Sequence, residues 1–246
     1  MRTRRPRPAG LVAFLVLTAG PSAAQEADFL FSAPRGSFSL RGGWLFASTG
    51  SDIYSFFGDL LTVESSDFDA PLFGADVAFA IHPRLDAVVG FDFNRAKIAS
   101  EYRDLVEDND LPITQQTELT TVPIMGSLKL YLAPRGREVS RYAFVPAAVR
   151  PYVGGGGGFL WYKLEQFGDF VDFTDLAIFS TQLGSDGFGL EAHVFGGAEV
   201  RLAPRIYLAF EGRYLWSDAE LDADFIGFEP IDLSGLRTSV GINFNF

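Results

Sequence analysis

Apolar and polar residues alternate along most of this chain. In the last stretch, Leu236, Thr238, Val240, Ile242, Phe244 and Phe246 share one face of an extended strand, and Arg237, Ser239, Gly241, Asn243 and Asn245 share the other. Side chains of a strand point alternately to opposite faces, so this period of two predicts a β-strand with one apolar face. The same period recurs at about 37–46, 72–82, 85–97, 119–132, 151–163, 188–202 and 206–216. Eight strands are therefore predicted. Pro123 cannot donate to a ladder and predicts a bulge or a strand end near it. Five consecutive glycines, Gly154 to Gly158, leave the facing of the fifth strand open.

The connections alternate as well. Ile-His-Pro-Arg at 81–84 and Leu-Ala-Pro-Arg at 132–135 and 202–205 end every second strand. The first and third make tight turns. The second opens a longer basic connection to about 150, with Arg135, Arg137, Arg141 and Arg150. The other four connections, about 48–69, 98–118, 164–186 and 217–232, each carry five or six acidic residues, against the single Arg103. An even strand count with short turns at one end and long loops at the other is the pattern of a transmembrane β-barrel. The prediction is an all-β, eight-stranded antiparallel up-and-down barrel with short periplasmic turns and long acidic extracellular loops. In lipid every backbone polar group must be paired, so the first strand should meet the eighth.

Charge decides which face meets lipid. The larger apolar set on each strand is almost free of charge. The opposite set carries Arg41, Asp76, Asp86, Asp92, Lys129, Glu191, Glu199, Arg201, Glu211, Arg213 and Arg237. Facing Arg or Lys to mid-bilayer costs about 2–4 kcal/mol each. The charged set is therefore expected inside, and an eight-stranded lumen is just wide enough for side chains. A plugged, ion-paired interior follows. The glycine run lacks the helix and the Lys-Ser/Thr of a nucleotide-binding loop, so it is read as room for large neighbouring side chains.

Residues 1–24 have the form of a secretory signal: basic Arg2, Arg4, Arg5 and Arg7, a short apolar core from Ala9 to Ala19, and Ser22-Ala23-Ala24 before Gln25. The barrel domain is then 25–246. Losing four arginines and no acids moves the net charge from −11 to −15. That excludes binding to nucleic acid by phosphate neutralisation. The 246-residue chain has no cysteine, so neither disulfides nor thiolate metal ligands are available.

VPIMGSLKLYL at 122–132, RPYVGGGGGFLWY at 150–162 and VGINFNF at 240–246 resemble the small OmpA/OmpX/OmpW-like outer-membrane β-barrel family. The resemblance covers essentially the whole chain after the signal. It implies a multi-pass location in the cell outer membrane and insertion by the outer-membrane barrel assembly machinery, which reads the terminal strand. It also implies roles ranging from anchoring and adhesion to a narrow OmpW-like channel for small apolar solutes. With no peptidoglycan-binding segment after Phe246, the OmpA anchoring role is not expected.

Three chemistries remain. Some barrels of this size are lipid A-modifying hydrolases, but His82 and His193 are the only histidines, and position 195 is Phe rather than the Ser of a His-x-Ser pair. Glu191 shares an interior face with His193 and could orient it, but a base without a nucleophile makes no hydrolase. Asp218, Glu220, Asp222, Asp224 and Glu229 have calcium-loop spacing, yet Ala223 stands where such a loop needs glycine. No catalytic, cofactor or metal residue is assigned. The acidic loops should attract divalent or cationic partners, or simply be solvated. The aromatics Phe56, Phe57, Phe167, Phe170, Phe173 and Phe225 in or near them suggest strands running beyond the membrane, or a surface that packs on something. The expectation is a monomeric, non-catalytic barrel with a structural or surface-interaction role.

Overall fold

A computed structural model describes residues 29–107 and 111–246. The signal segment and Asp108 and Asp110 lie outside the described residues. The strands are β1 (Gly36–Ala47), β2 (Ala70–His82), β3 (Leu85–Val106), β4 (Pro112–Tyr131), β5 (Gly136–Ser140), β6 (Ala143–Pro146), β7 (Val149–Val171), β8 (Ile178–Ala203), β9 (Ile206–Ala219), β10 (Ile231–Asp232) and β11 (Gly235–Asn245). Eight of them, β1, β2, β3, β4, β7, β8, β9 and β11, pair antiparallel in that order. The ring closes between β11 and β1, with Phe38 opposite Phe244 and Phe46 opposite Leu236. The predicted eight-stranded barrel, and its closure by the terminal strand, are both present.

Alternation sorts the wall as expected. Phe38, Leu40, Phe73, Phe91, Ile124, Leu190, Phe210 and Phe244 point outward and are exposed, whereas Asp92, Lys129, Glu199, Arg213 and Arg237 point inward and are buried.

Several details differ from the pattern reading. β3 and β4 continue far past 97 and begin well before 119, so most of the second acidic connection is a strand hairpin. β7 and β8 likewise absorb most of the third. At about 3.3 Å per residue, the 23 residues of β7 and 26 of β8 are more than twice the 9–11 a bilayer core requires. Acidic composition points to loops, yet Glu101, Glu118, Glu165 and Asp186 lie within these strands.

The first loop is also not irregular: Asp52–Leu60 is a helix, α1. Its buried Ile53, Tyr54 and Phe57 recur at helical spacing, and Leu61 continues that face just beyond it. The basic connection after β4 holds the small β5–β6 hairpin, to which Leu30 is bridged through Phe144. Pro123 produces no bulge. The β4–β7 register runs through it unbroken, and only the β3–β4 pairing is interrupted opposite it.

The glycine run lies mid-strand in β7. Gly156 stands between Ser127 of β4 and His193 of β8, and a Cβ there would overlap the Gly126 carbonyl and come within 2.7 Å of Ser127 Cα. Gly212, on the outer wall, has nothing within 4 Å of a Cβ. Gly156→Val should therefore destabilise the barrel by about 1–3 kcal/mol or more, and Gly212→Ala should be near neutral. The shift in electrophoretic mobility between folded and heat-unfolded barrel, followed through a urea series, measures both.

Candidate functional site

The interior is built in tiers along the barrel axis. Near the turn end it is ionic. Glu199 is its centre: Lys129 Nζ lies at 2.5 Å, Arg150 Nη2 at 2.7 Å as an ion pair without hydrogen-bond alignment, Asn243 Nδ2 at 2.8 Å and the Tyr131 hydroxyl at 3.3 Å. The Arg150 guanidinium lies 3.4 Å over the Tyr207 ring, and Lys129 Nζ 3.8 Å over Tyr152. Arg41 bridges Asp76 and Asp92, and Arg213 pairs with Glu211 at 2.8 Å. Arg135 reaches in from its turn to Asp86 at 2.8 Å. The expected ion pairing of the interior is present in this half. In the sequence Arg150 and Arg135 belong to a basic connection, and their place in the lumen shows only when strands meet.

Above this tier lies an arrangement that sequence spacing did not reveal. Ser127 Oγ is 2.8 Å from His193 Nε2, and His193 Nδ1 is 2.9 Å from Glu191 Oε2. The expectation that no nucleophile lies within reach of His193 is corrected: it comes from β4, two strands away, and β7 places only Gly156 between them. The order Ser–His–Glu is that of a nucleophilic relay. However, the His193 and Glu191 side chains are fully enclosed, and the imidazole stacks on Phe195. The relay therefore satisfies buried polar atoms at His193 and Glu191, while Ser127 is half-buried. The other histidine, His82, ends β2 at the turn end and is exposed.

The loop-side half holds an apolar cluster, with uncharged Asn94, Gln115, Thr117, Thr121 and Gln166 also buried, where the sequence predicts an ion-paired filling. Met125, Leu160, Tyr162, Leu164 and Leu215 point in from the wall, and Ile53, Tyr54 and Phe57 of α1 close over them with Phe68, Phe225 and Ile231. The long loops fold back and supply apolar cover here. Burial raises the Tyr54 phenol, whose hydroxyl donates to the Asp232 carbonyl at 2.7 Å. Among the acids with calcium-loop spacing, Asp222 accepts from Ser185 and Asp224 from the Gly184 amide, while Glu229 donates its amide to Asp52. They serve separate loop contacts and do not converge. Asp172, on the β7–β8 turn, is held below the ordinary carboxylate range by hydrogen bonds from Thr174.

The outer wall shows a sharp boundary. Val122, Trp161 and Phe188 form one outward row, and Arg95, Thr120, Lys163 and Asp186 form the next. One row higher, Glu118 is gripped by Lys97 at 2.8 Å and by Arg95. Those hydrogen bonds, Lys97's foremost, bring its carboxyl down to about 2. A depressed carboxylate stabilises the fold above its ordinary value, near 4.5, and that contribution is lost as the pH falls to about 2. Its partners are half exposed, so the effect stays within about 1 kcal/mol. Glu118→Gln should lower the melting temperature slightly at pH 7, and the difference from the parent should vanish by pH 2 in a thermal melt series. A larger loss is expected at Glu199. Glu199→Ala strands Lys129 and Arg150 without a counter-charge and should cost about 3–5 kcal/mol in urea unfolding, while Lys129→Met with Glu199→Leu should cost less than the single change.

No protein-family model and no curated protein matches the chain. Solved structures do. Neisserial surface protein A is 10% identical with a TM-score of 0.45, covering 89% of this chain and 98% of that one. Ail of Yersinia pestis is 11% identical at 0.44, covering 87% and 100%. The N-terminal β-barrel domain of Pseudomonas aeruginosa OprF is 12% identical at 0.36, covering 87% and 100%. The ring of eight paired strands makes this chain an antiparallel β-barrel.

Proposed function

We propose that this is an exported bacterial outer-membrane barrel, inserted as a monomer through its terminal strand, that serves as a structural and surface-interaction module. The observation that carries the reading is the outer wall itself. Its exposed Phe, Leu, Ile and Val side chains form a belt far larger than a water-soluble monomer leaves uncovered. All three tryptophans, Trp44, Trp161 and Trp216, face outward near its loop-side edge, the height of an interfacial aromatic girdle. Charge appears on the outer wall directly above that edge. With the turns placed in the periplasm, α1 and the extended hairpins stand outside the cell.

Two other readings are weighed by the lumen. Passage of small apolar solutes suits the apolar upper tier, but the ionic tier beneath offers such a solute no path. A lipid hydrolase is favoured by the Ser127–His193–Glu191 relay, and disfavoured by the enclosure of His193 and Glu191. Purified barrel in planar bilayers should give no steady conductance at neutral pH; reproducible openings would overturn the closed lumen. Fatty-acid release from outer-membrane lipid should be the same for Ser127→Ala as for the parent, and any release that the variant loses would establish the hydrolase instead.

A further inference from the structure

A cavity of about 220 Å³ opens at the loop end, above the apolar tier. Phe56 and Leu60 of α1, Phe170 of β7, Phe173 of the β7–β8 turn and Phe179 of β8 form its apolar wall, and Asp224 stands in it. The arrangement is unusual for a loop surface in water. Phe173 is 61% exposed and Phe179 48%, although both lie on extended hairpins well clear of the belt. Apolar rings left open around a concavity mark a binding surface rather than a core. The cavity is blind. Its floor is an amide pair, Gln166 Nε2 donating to Gln115 Oε1 at 2.6 Å, with Gln115 also donating to the Tyr102 hydroxyl at 3.1 Å. Below that, Tyr162 and Leu164 are fully buried. A ligand entering here stays on the outside of the barrel.

Charge selects the ligand. Asp169, Asp172 and Asp175 occupy the neighbouring β7–β8 end, and Asp222 and Glu220 flank Asp224. Arg103 is occupied with the Gly58 carbonyl at 2.8 Å, and Arg95, Lys97 and Lys163 are paired with Glu118 and Glu165 on the outer wall. We propose that this cavity is a binding site for a small aromatic cation, with the ring held among Phe56, Phe173 and Phe179 and the ammonium turned toward Asp224. It rests on the surface-interaction reading for its biological meaning, but the binding itself does not depend on which way the barrel faces.

The test uses full-length barrel in lipid nanodiscs and three probes that share an indole ring: tryptamine (cationic), tryptophol (neutral) and indole-3-propionate (anionic). Isothermal titration calorimetry, with empty nanodiscs subtracted, should show saturable one-site binding of tryptamine. Its affinity should exceed that of tryptophol by up to about fivefold, with indole-3-propionate weakest. Asp224→Asn should bring tryptamine and tryptophol close to equal. Phe173→Ala, at an exposed position that the fold does not need, should weaken both by about twofold to tenfold. Absence of saturable binding, equal affinity for all three probes, or indifference to both substitutions would overturn the proposal. Those outcomes leave the bilayer experiments on the closed lumen untouched, so the two readings fail separately.

Discussion

Pairing of β1 with β11 is the constraint from which the rest follows. A backbone N–H or C=O left unpaired in hydrocarbon costs several kcal/mol, so a sheet in lipid cannot have an edge. The register Ser37–Asn245 through Ala47–Gly235 removes the edge. Once the sheet is a ring, every residue of a strand must face either the surroundings or a narrow lumen. The period of two then becomes a rule about solvent: the belt of Phe, Leu, Ile and Val faces out, and whatever carries charge must find a partner within.

That second demand shapes the lumen. A buried charge is costly unless it is paired and hydrogen-bonded. Glu199 meets it with Lys129, Arg150, Asn243 and Tyr131, drawn from three different strands. An eight-stranded ring leaves little room for such crossing contacts, and the glycines of β7 make it. Without a side chain at Gly156, His193 can reach Ser127; a Cβ at Gly154 would run into the Phe195 ring, and one at Gly158 would come within 2.9 Å of the Glu191 carboxylate. What looks like a flexible run is the inner surface on which large neighbours rest.

The two ends of the barrel solve their exposure differently. At the turn end the lumen is filled by ion pairs around Glu199. At the other, α1 folds across the mouth and supplies Ile53, Tyr54 and Phe57 to a core shared with the wall. The extended β3–β4 and β7–β8 hairpins then carry apolar rings and acidic groups out into water, next to one another. Closed floor, open aromatic wall and a preponderance of acidic groups stand together at the loop end.

Alternation along 236–246 and its seven counterparts was enough to establish the strand count, the facing of each strand except β7, and the presence of charge inside. These are local properties, because side-chain direction in a strand depends only on position parity. Tertiary structure alone decided what met across the ring. Ser127 and His193 are 66 positions apart, and Lys129 and Glu199 are 70 apart; no spacing rule links them, since their contact depends on register between strands that are not neighbours in sequence. The helix in the first loop and the reach of β3, β4, β7 and β8 were written in the residues but outweighed by acidity, which reports contact with water and not the shape of the backbone that makes it.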